Sequence, residues 1–128
     1  MTPHFIDFDR ITDERGILSV CEITQLTGIV FERFFVISDV KNGVRGGHAH
    51  RFTEQVLQCL QGSLTLSLEH NKVKYKYKLS KGQSPILLPM LTWTEMHEIT
   101  TDCLILVVCS DKYDFNNSIR TYADFLEA

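Results

Sequence analysis

A chain of 128 residues and 14.7 kDa has the length of one domain and can bury about two-thirds of its unfolded surface in a core. Thirteen basic against sixteen acidic residues leave a net charge of -3 with no basic run or stripe, which argues against a nucleic-acid partner. The N-terminus MTPHFIDFDR holds no apolar stretch of signal length, and the longest apolar run, CLILVVC at 103–109, is far too short to cross a bilayer; a single soluble, cytoplasmic domain over 1–128 with no membrane partner is expected.

Along the chain, period-2 patterning dominates. Short apolar or alternating runs bounded by Gly, Pro, Asp or Asn predict strands near 17–23 and 33–38, and a further strand carries His48 and His50 ahead of one near 54–60. In SLTLSLEH, Leu64, Leu66 and Leu68 alternate with Ser63, Thr65, Ser67 and Glu69; in KVKYKYKL, Val73, Tyr75, Tyr77 and Leu79 alternate with lysines. That pattern predicts a β-hairpin turning through His70 and Asn71. Strands near 85–88 and 103–109 follow, and only the tail SIRTYADFLEA looks helical. Many short strands with regular turn signals indicate an all-β sandwich or barrel. Cys21, Cys59, Cys103 and Cys109 sit singly in apolar segments without CxxC spacing, so they are expected as reduced core residues.

The chemistry concentrates in RGGHAHRFTEQ, residues 45–55. His48 and His50 are two apart, so on a strand both imidazoles project from one face. Three readings compete: a metal site, an acid/base pair, or a polar strand end with both rings bonded to backbone.

A small β-barrel with HxH resembles the cupin superfamily, whose jelly roll holds a metal with three imidazoles and a carboxylate. Here His48, His50 and Gly62 fit the first cupin motif, but the carboxylate position is Gln55. Glu54 misses it by one residue, and a one-residue slip turns a strand side chain to the other face. In the second motif the fourth ligand position falls on Thr94, with His97 three residues further on. Amide and hydroxyl are poor ligands for zinc, iron or nickel, so no metal is expected and the imidazoles are left for proton chemistry.

With its flanks, RGGHAH…EQVLQCLQGS resembles the sugar-nucleotide 3,4-ketoisomerases (WxcM-like), which act on dTDP-4-keto-6-deoxyglucose on the route to 3-amino-3,6-dideoxyhexoses of lipopolysaccharide O-antigens. DERGILSVCEI, ERFFVISDV, WTEMHEITTDCLILVVCSDKYD and SIRTYADF resemble further family blocks in the family's order. The resemblance implies a cupin jelly roll with a short C-terminal helical tail, a strand-exchanged homodimer, no cofactor, and a dTDP-linked 4-keto-6-deoxy sugar as substrate. It implies His48 as base and His50 as its partner in proton transfer or positioning, without deciding which ring does which. Arg45 matches a position that could clamp the diphosphate, and Arg15 one associated with galacto-type products. Arg33 opens an apolar strand and is expected to turn into a polar cavity rather than lie buried alone. Gln55 is expected to bond the sugar or the histidines, and Trp93 to wall the pocket or fill the core. Two positions depart from the family pattern: Phe35 stands where a Tyr is common, and Thr94 where His or Arg follows the Trp. These departures keep two alternatives in view, a non-catalytic sugar-nucleotide-binding cupin and a related dTDP-sugar epimerase.

Overall fold

A computed structural model describes all 128 residues. In chain order its strands and helices are β1 (His4–Phe5), β2 (Asp9–Asp13), β3 (Gly16–Val20), α1 (Ile23–Thr27), β4 (Arg33–Ile37), β5 (Arg45–His50), β6 (Gln55–Gln61), β7 (Ser63–His70), β8 (Val73–Ser80), β9 (Ile86–Leu88), β10 (Thr92–His97), β11 (Leu104–Cys109), β12 (Ser118–Ile119) and α2 (Tyr122–Glu127). Two five-stranded sheets, β1-β9-β6-β11-β4 and β12-β5-β10-β7-β8, form the jelly roll expected from the sequence, and every pair is antiparallel.

The alternation seen in the sequence sets which face is buried. Leu64, Leu66 and Leu68 of β7 meet Leu57 and Cys59 of β6, Ile86 of β9 and Ile105, Val107 and Cys109 of β11 in one core cluster of 16 buried residues. Each fully buried Leu or Ile there contributes about 1.5–3 kcal/mol relative to exposure. The β7–β8 hairpin turns one residue later than expected: His70 still pairs with Val73, and the loop is Asn71–Lys72, both at positive φ (51° and 65°). Two left-handed residues are what a two-residue type I′ loop requires, and its twist matches the flanking strands.

The region expected as a strand at 17–23 divides. β3 stops at Val20, and Ile23–Thr27 forms α1, which ends on Gly28 in the left-handed conformation (φ 73°). Ile23 is pinned with Cys21, Ile29 and Phe31 over Ile6, Val56 and Leu87, the outward residues of the first sheet. β2 and β3 form a separate two-stranded sheet that is exposed along its whole length, with Ile17 65% and Leu18 58% accessible. The tail also divides: Ser118–Ile119 extends the second sheet beside β5, and the helix begins only at Tyr122, where the Thr121 hydroxyl accepts from the Asp124 N–H at 3.2 Å. No helix is long and apolar enough to cross a membrane.

Candidate active site

β5 places the two imidazoles. His48 and His50 lie on one face with Ala49 buried on the other, and their rings meet edge to face with centroids 5.3 Å apart at 80°. The strand comes close to β10 because residue 46 is glycine: its φ is 98°, and a Cβ there would sit 2.8 Å from the Thr94 carbonyl oxygen. At that crossing Thr94 pairs directly with His48 beside a β-bulge, so Thr94 shares the imidazoles' face.

The opposite sheet supplies the facing row. Arg33 of β4, Cys109 of β11 and Gln55 of β6 are cross-strand neighbours in register, all turned inward. The Gln55 side-chain nitrogen lies 3.4 Å from His50 Nε2 and 3.4 Å from Cys109 Sγ. Glu54 points elsewhere, accepting a hydrogen bond from Ser110 Oγ at 2.9 Å, as the parity of a strand demands. Arg33 donates from Nε to the Asp111 carbonyl at 3.1 Å, and its guanidinium lies 5.8 Å from the ring centroids of both Phe35 and Tyr113. Phe35 is half-buried against the core and brings no hydroxyl.

Both imidazoles are held in the neutral form. Burial pushes the His48 pKa down, and Arg120 and Arg45 add to this, against a hydrogen bond that the ring donates to the Gly46 carbonyl. His50 is pushed down to about 4 by burial first, then by His48, Arg33 and Arg120. A pair of neutral imidazoles near physiological pH is able to accept a proton.

The structure thus brings His48, His50, Gln55, Thr94 and Arg33 together, with Arg45 at the exposed start of β5 and Phe35 beside Arg33. Two expected site residues lie elsewhere. Trp93, expected to wall the pocket or fill the core, faces the opposite way from Thr94 and packs as a core residue in a separate buried cluster with Ala49, Ile119 and Phe125 under α2, its indole N–H donating to Glu95 at 2.7 Å. Trp93 does line a groove of about 430 Å³, with Glu69, Lys74, Tyr75, Glu95 and Tyr122, but that groove lies on the outer face and holds neither histidine. Arg15 sits beside the exposed β2–β3 turn, paired with Asp13 at 2.6 Å, outside the histidine face of its own chain. Arg120 was not foreseen: the tail read as helix, and nothing in SIRTYADF signals that Ser118–Ile119 is a strand alongside β5. No group of three or more His, Cys, Asp or Glu side chains is placed to hold a metal, since Gln55 and Thr94 occupy the remaining cupin ligand positions.

The chain matches the WxcM-like, C-terminal family (FdtA) over residues 1–128. A TDP-4-oxo-6-deoxy-alpha-D-glucose-3,4-oxoisomerase of Aneurinibacillus thermoaerophilus is 35% identical over 121 residues, 94% of this chain and 87% of that protein. Among solved structures, the TDP-quinovose 3,4-ketoisomerase WlaRB of Campylobacter jejuni superposes with a TM-score of 0.91 at 31% identity, covering 98% of each chain. The 3,4-ketoisomerase QdtA of Thermoanaerobacterium thermosaccharolyticum, solved as a histidine-to-asparagine mutant with TDP-4-keto-6-deoxyglucose, gives a TM-score of 0.91 at 28% identity over 98% of this chain and 92% of its own. A histidine pair facing an amide inside a jelly roll, together with this full-length match, places the chain in the WxcM-like, C-terminal (FdtA) family.

Proposed function

We propose that this protein is a metal-independent sugar-nucleotide 3,4-ketoisomerase that converts dTDP-4-keto-6-deoxyglucose to a dTDP-3-keto-6-deoxyhexose. The observation that carries the reading is the pair of neutral imidazoles on one face of β5, opposed by Gln55 and flanked by arginines. A base removes the C3 proton, acidified by the adjacent ketone; the C3–H pair becomes the C3=C4 bond, and the carbonyl pair moves onto the C4 oxygen. The resulting enediolate takes a proton on its C4 oxygen to become the enediol, which loses its O3 proton and takes a proton at C4, leaving a ketone at C3 and a hydroxyl at C4 with no net oxidation. His48 acts as base and His50 as its partner, a contribution of about 10²–10⁴-fold for positioned acid/base groups. Arg45 and Arg33 flank the pair from two sides and suit the diphosphate, which the planar guanidinium binds in two-pronged fashion.

The homodimer belongs to the same reading. The β2–β3 hairpin exposes Ile11, Ile17 and Leu18, β4 is an unpaired sheet edge, and Phe34 and Val36 of that strand line an apolar outer face with Leu106 and Val108. A hairpin exchanged onto a partner's sheet covers both surfaces and carries Arg15 to the partner's site. The enzyme then serves deoxysugar biosynthesis in the cytoplasm, feeding 3-amino-3,6-dideoxyhexose formation for O-antigen, and its cysteines are free thiols.

NMR of dTDP-4-keto-6-deoxyglucose incubated with the protein in D2O tests the reading: a 3-keto sugar supports it, and the same spectrum gives the configuration at C4. Phe35 and Thr94 favour one alternative, a binding module without catalysis; tight TDP binding with no exchange at C3 supports that alternative and refutes the isomerase.

A further inference from the structure

The short strand β12 reaches the site from the C-terminal side. Ser118 pairs with His50 and Ile119 with Ala49, so the next residue in that register, Arg120, falls across from His48 and diagonal to His50. Parity agrees: Ile119 and Ala49 share the outward cluster with Trp93, which leaves Arg120 on the inward face with both imidazoles.

The segment that carries it is well fixed. The buried Asn117 side chain accepts from the Phe52 N–H at 2.8 Å and donates to Thr53 Oγ1 at 2.5 Å, and the Asn117 carbonyl accepts from the Arg51 N–H at 2.9 Å. Asp114 caps the preceding turn by accepting from the Asn116 N–H at 2.9 Å. Arg120 is exposed, and its guanidinium lies 4.5 Å from the centroid of the Phe115 ring, a cation–π contact that restrains it at the surface end of the strand.

The charges that face the imidazoles come from three elements. Arg45 on β5 acts on His48, Arg33 on β4 acts on His50, and Arg120 alone of the three acts on both. Gln55 and Thr94, the other polar groups facing them, are neutral amide and hydroxyl. A proton passed between adjacent carbons puts both carbons between the two rings. Across from His48 and diagonal to His50, Arg120 faces the space between the two rings where those carbons and their oxygens would lie, while Arg33 belongs to the opposite sheet and Arg45 to the start of β5.

Resting on the ketoisomerase reading, we propose that Arg120 is a catalytic residue of the isomerisation, its guanidinium set against the enediolate oxygen that forms when the C4 carbonyl pair moves onto oxygen. A preformed cation aimed where charge develops stabilises the transition state without reorganisation. The same charge adds to the burial that keeps the imidazoles unprotonated before substrate arrives, so one side chain serves both the base and the oxyanion.

The experiment compares Arg120→Gln and Arg120→Lys with wild type by steady-state kinetics, calorimetric TDP binding and NMR titration of the histidine C2 protons. Wild type must first produce the 3-keto sugar; if it does not, the ketoisomerase reading fails, and the inference with it. Given that activity, Arg120→Gln is expected to lower kcat about 10²–10³-fold. KM and TDP affinity should stay within about threefold, because the lost interaction is made only in the transition state. Both imidazole pKa values should rise in Arg120→Gln and hold in Arg120→Lys, which should recover at least about tenfold of kcat. A kcat within about threefold of wild type overturns the proposal, as does a loss confined to TDP affinity, which would make Arg120 a diphosphate clamp. Equal loss in both variants with unmoved imidazole titrations would mark a structural role and also overturn it.

Discussion

Replacing Gln55 with glutamate puts back the carboxylate that the cupin motif lacks, and the structure sets the size of the effect. The amide nitrogen stands 3.4 Å from His50 Nε2, so a carboxylate oxygen in its place faces an imidazolium at that separation. Unit charges 3.4 Å apart attract by about 5 kcal/mol at an effective dielectric near 20. At 1.36 kcal/mol per unit this corresponds to about three and a half pKa units. Gln55 is only 8% accessible, and the cost of burying a carboxylate there returns part of this gain. His50, held at about 4, is then expected to rise by at least about two units in Gln55→Glu. With His50 raised from about 4 to between about 6 and about 7.5, the ring is about one-tenth to three-quarters protonated at about pH 7, so kcat/KM at neutral pH should fall by up to about fourfold and recover as pH rises. NMR titration of the His50 C2 proton reads the shift directly, and addition of zinc or nickel to wild type and variant tests whether the new carboxylate creates a metal site with His48 and His50. A His50 that still titrates below about 5 in the variant would refute the view that the neutral amide is what keeps this imidazole free.

Three further outcomes follow from the same geometry. Because the folded state depresses His50 from its ordinary value near 6.5 to about 4, the unfolded chain binds more protons between those pH values, and stability present above pH 6.5 is lost as pH falls towards 4, by at most about 3 kcal/mol; urea unfolding should show this slope, and His50→Gln should flatten it, whereas an unchanged slope in the variant would assign the acid loss to other groups. Gly46→Ala should cost at least about 2 kcal/mol and displace His48, since its Cβ would meet the Thr94 carbonyl at 2.8 Å at a φ of 98°, while Gly47→Ala, with open space at φ 80°, should cost only the backbone strain of about 1 kcal/mol; equal denaturation midpoints for the two would remove the close approach as the reason for glycine. Light scattering should find wild type as the proposed dimer and Ile17→Asp with Leu18→Asp on the exposed hairpin as monomer, and mixing Arg15→Ala with His48→Asn subunits should regenerate activity if the hairpin serves the partner's site, whereas a monomeric wild type, persistent dimers in the variant or a failure to complement would contradict the exchange.

What the sequence made legible follows from where each strand buries its residues. Leu64, Leu66 and Leu68 alternate with polar residues because one face of β7 meets the core, and the hairpin could be read from that alone. β10 escaped notice because both of its faces carry polar groups: Thr92 and Thr94 turn inward, Glu95 and His97 outward, and no hydrophobic period survives. Without that strand the parity of Trp93 against Thr94 could not be assigned, so both were kept as site candidates and Trp93 was left open between pocket wall and core. β2 and β12 were missed for different reasons: β2 has no core of its own to pattern against, and β12 is two residues long. Arg120 needed the register of β12 against β5, which is a tertiary fact with no local signature.

The substitution of an amide for the cupin carboxylate explains more than the broken metal-ligand set. A carboxylate beside His50 would either hold a metal with the imidazoles or hold a proton on the ring, and both outcomes remove the base. An amide does neither, and the arginines on β4, on β5 and after β12 push the same way by disfavouring imidazolium. Burial first, with that positive charge added, would leave His50, at about 4, too weak a proton acceptor for a carbon acid. The proposed substrate corrects this, because its diphosphate brings negative charge to those arginines and lifts both imidazoles towards neutrality as it binds. Basicity would then appear in the complex, where the C3 proton is present, and the free site would stay unprotonated and ready. The chain's Phe35 fits that division of labour: with no phenol at this position, proton delivery falls to the imidazole pair itself, and a ring that gains a proton from C3 becomes the acid that C4 needs.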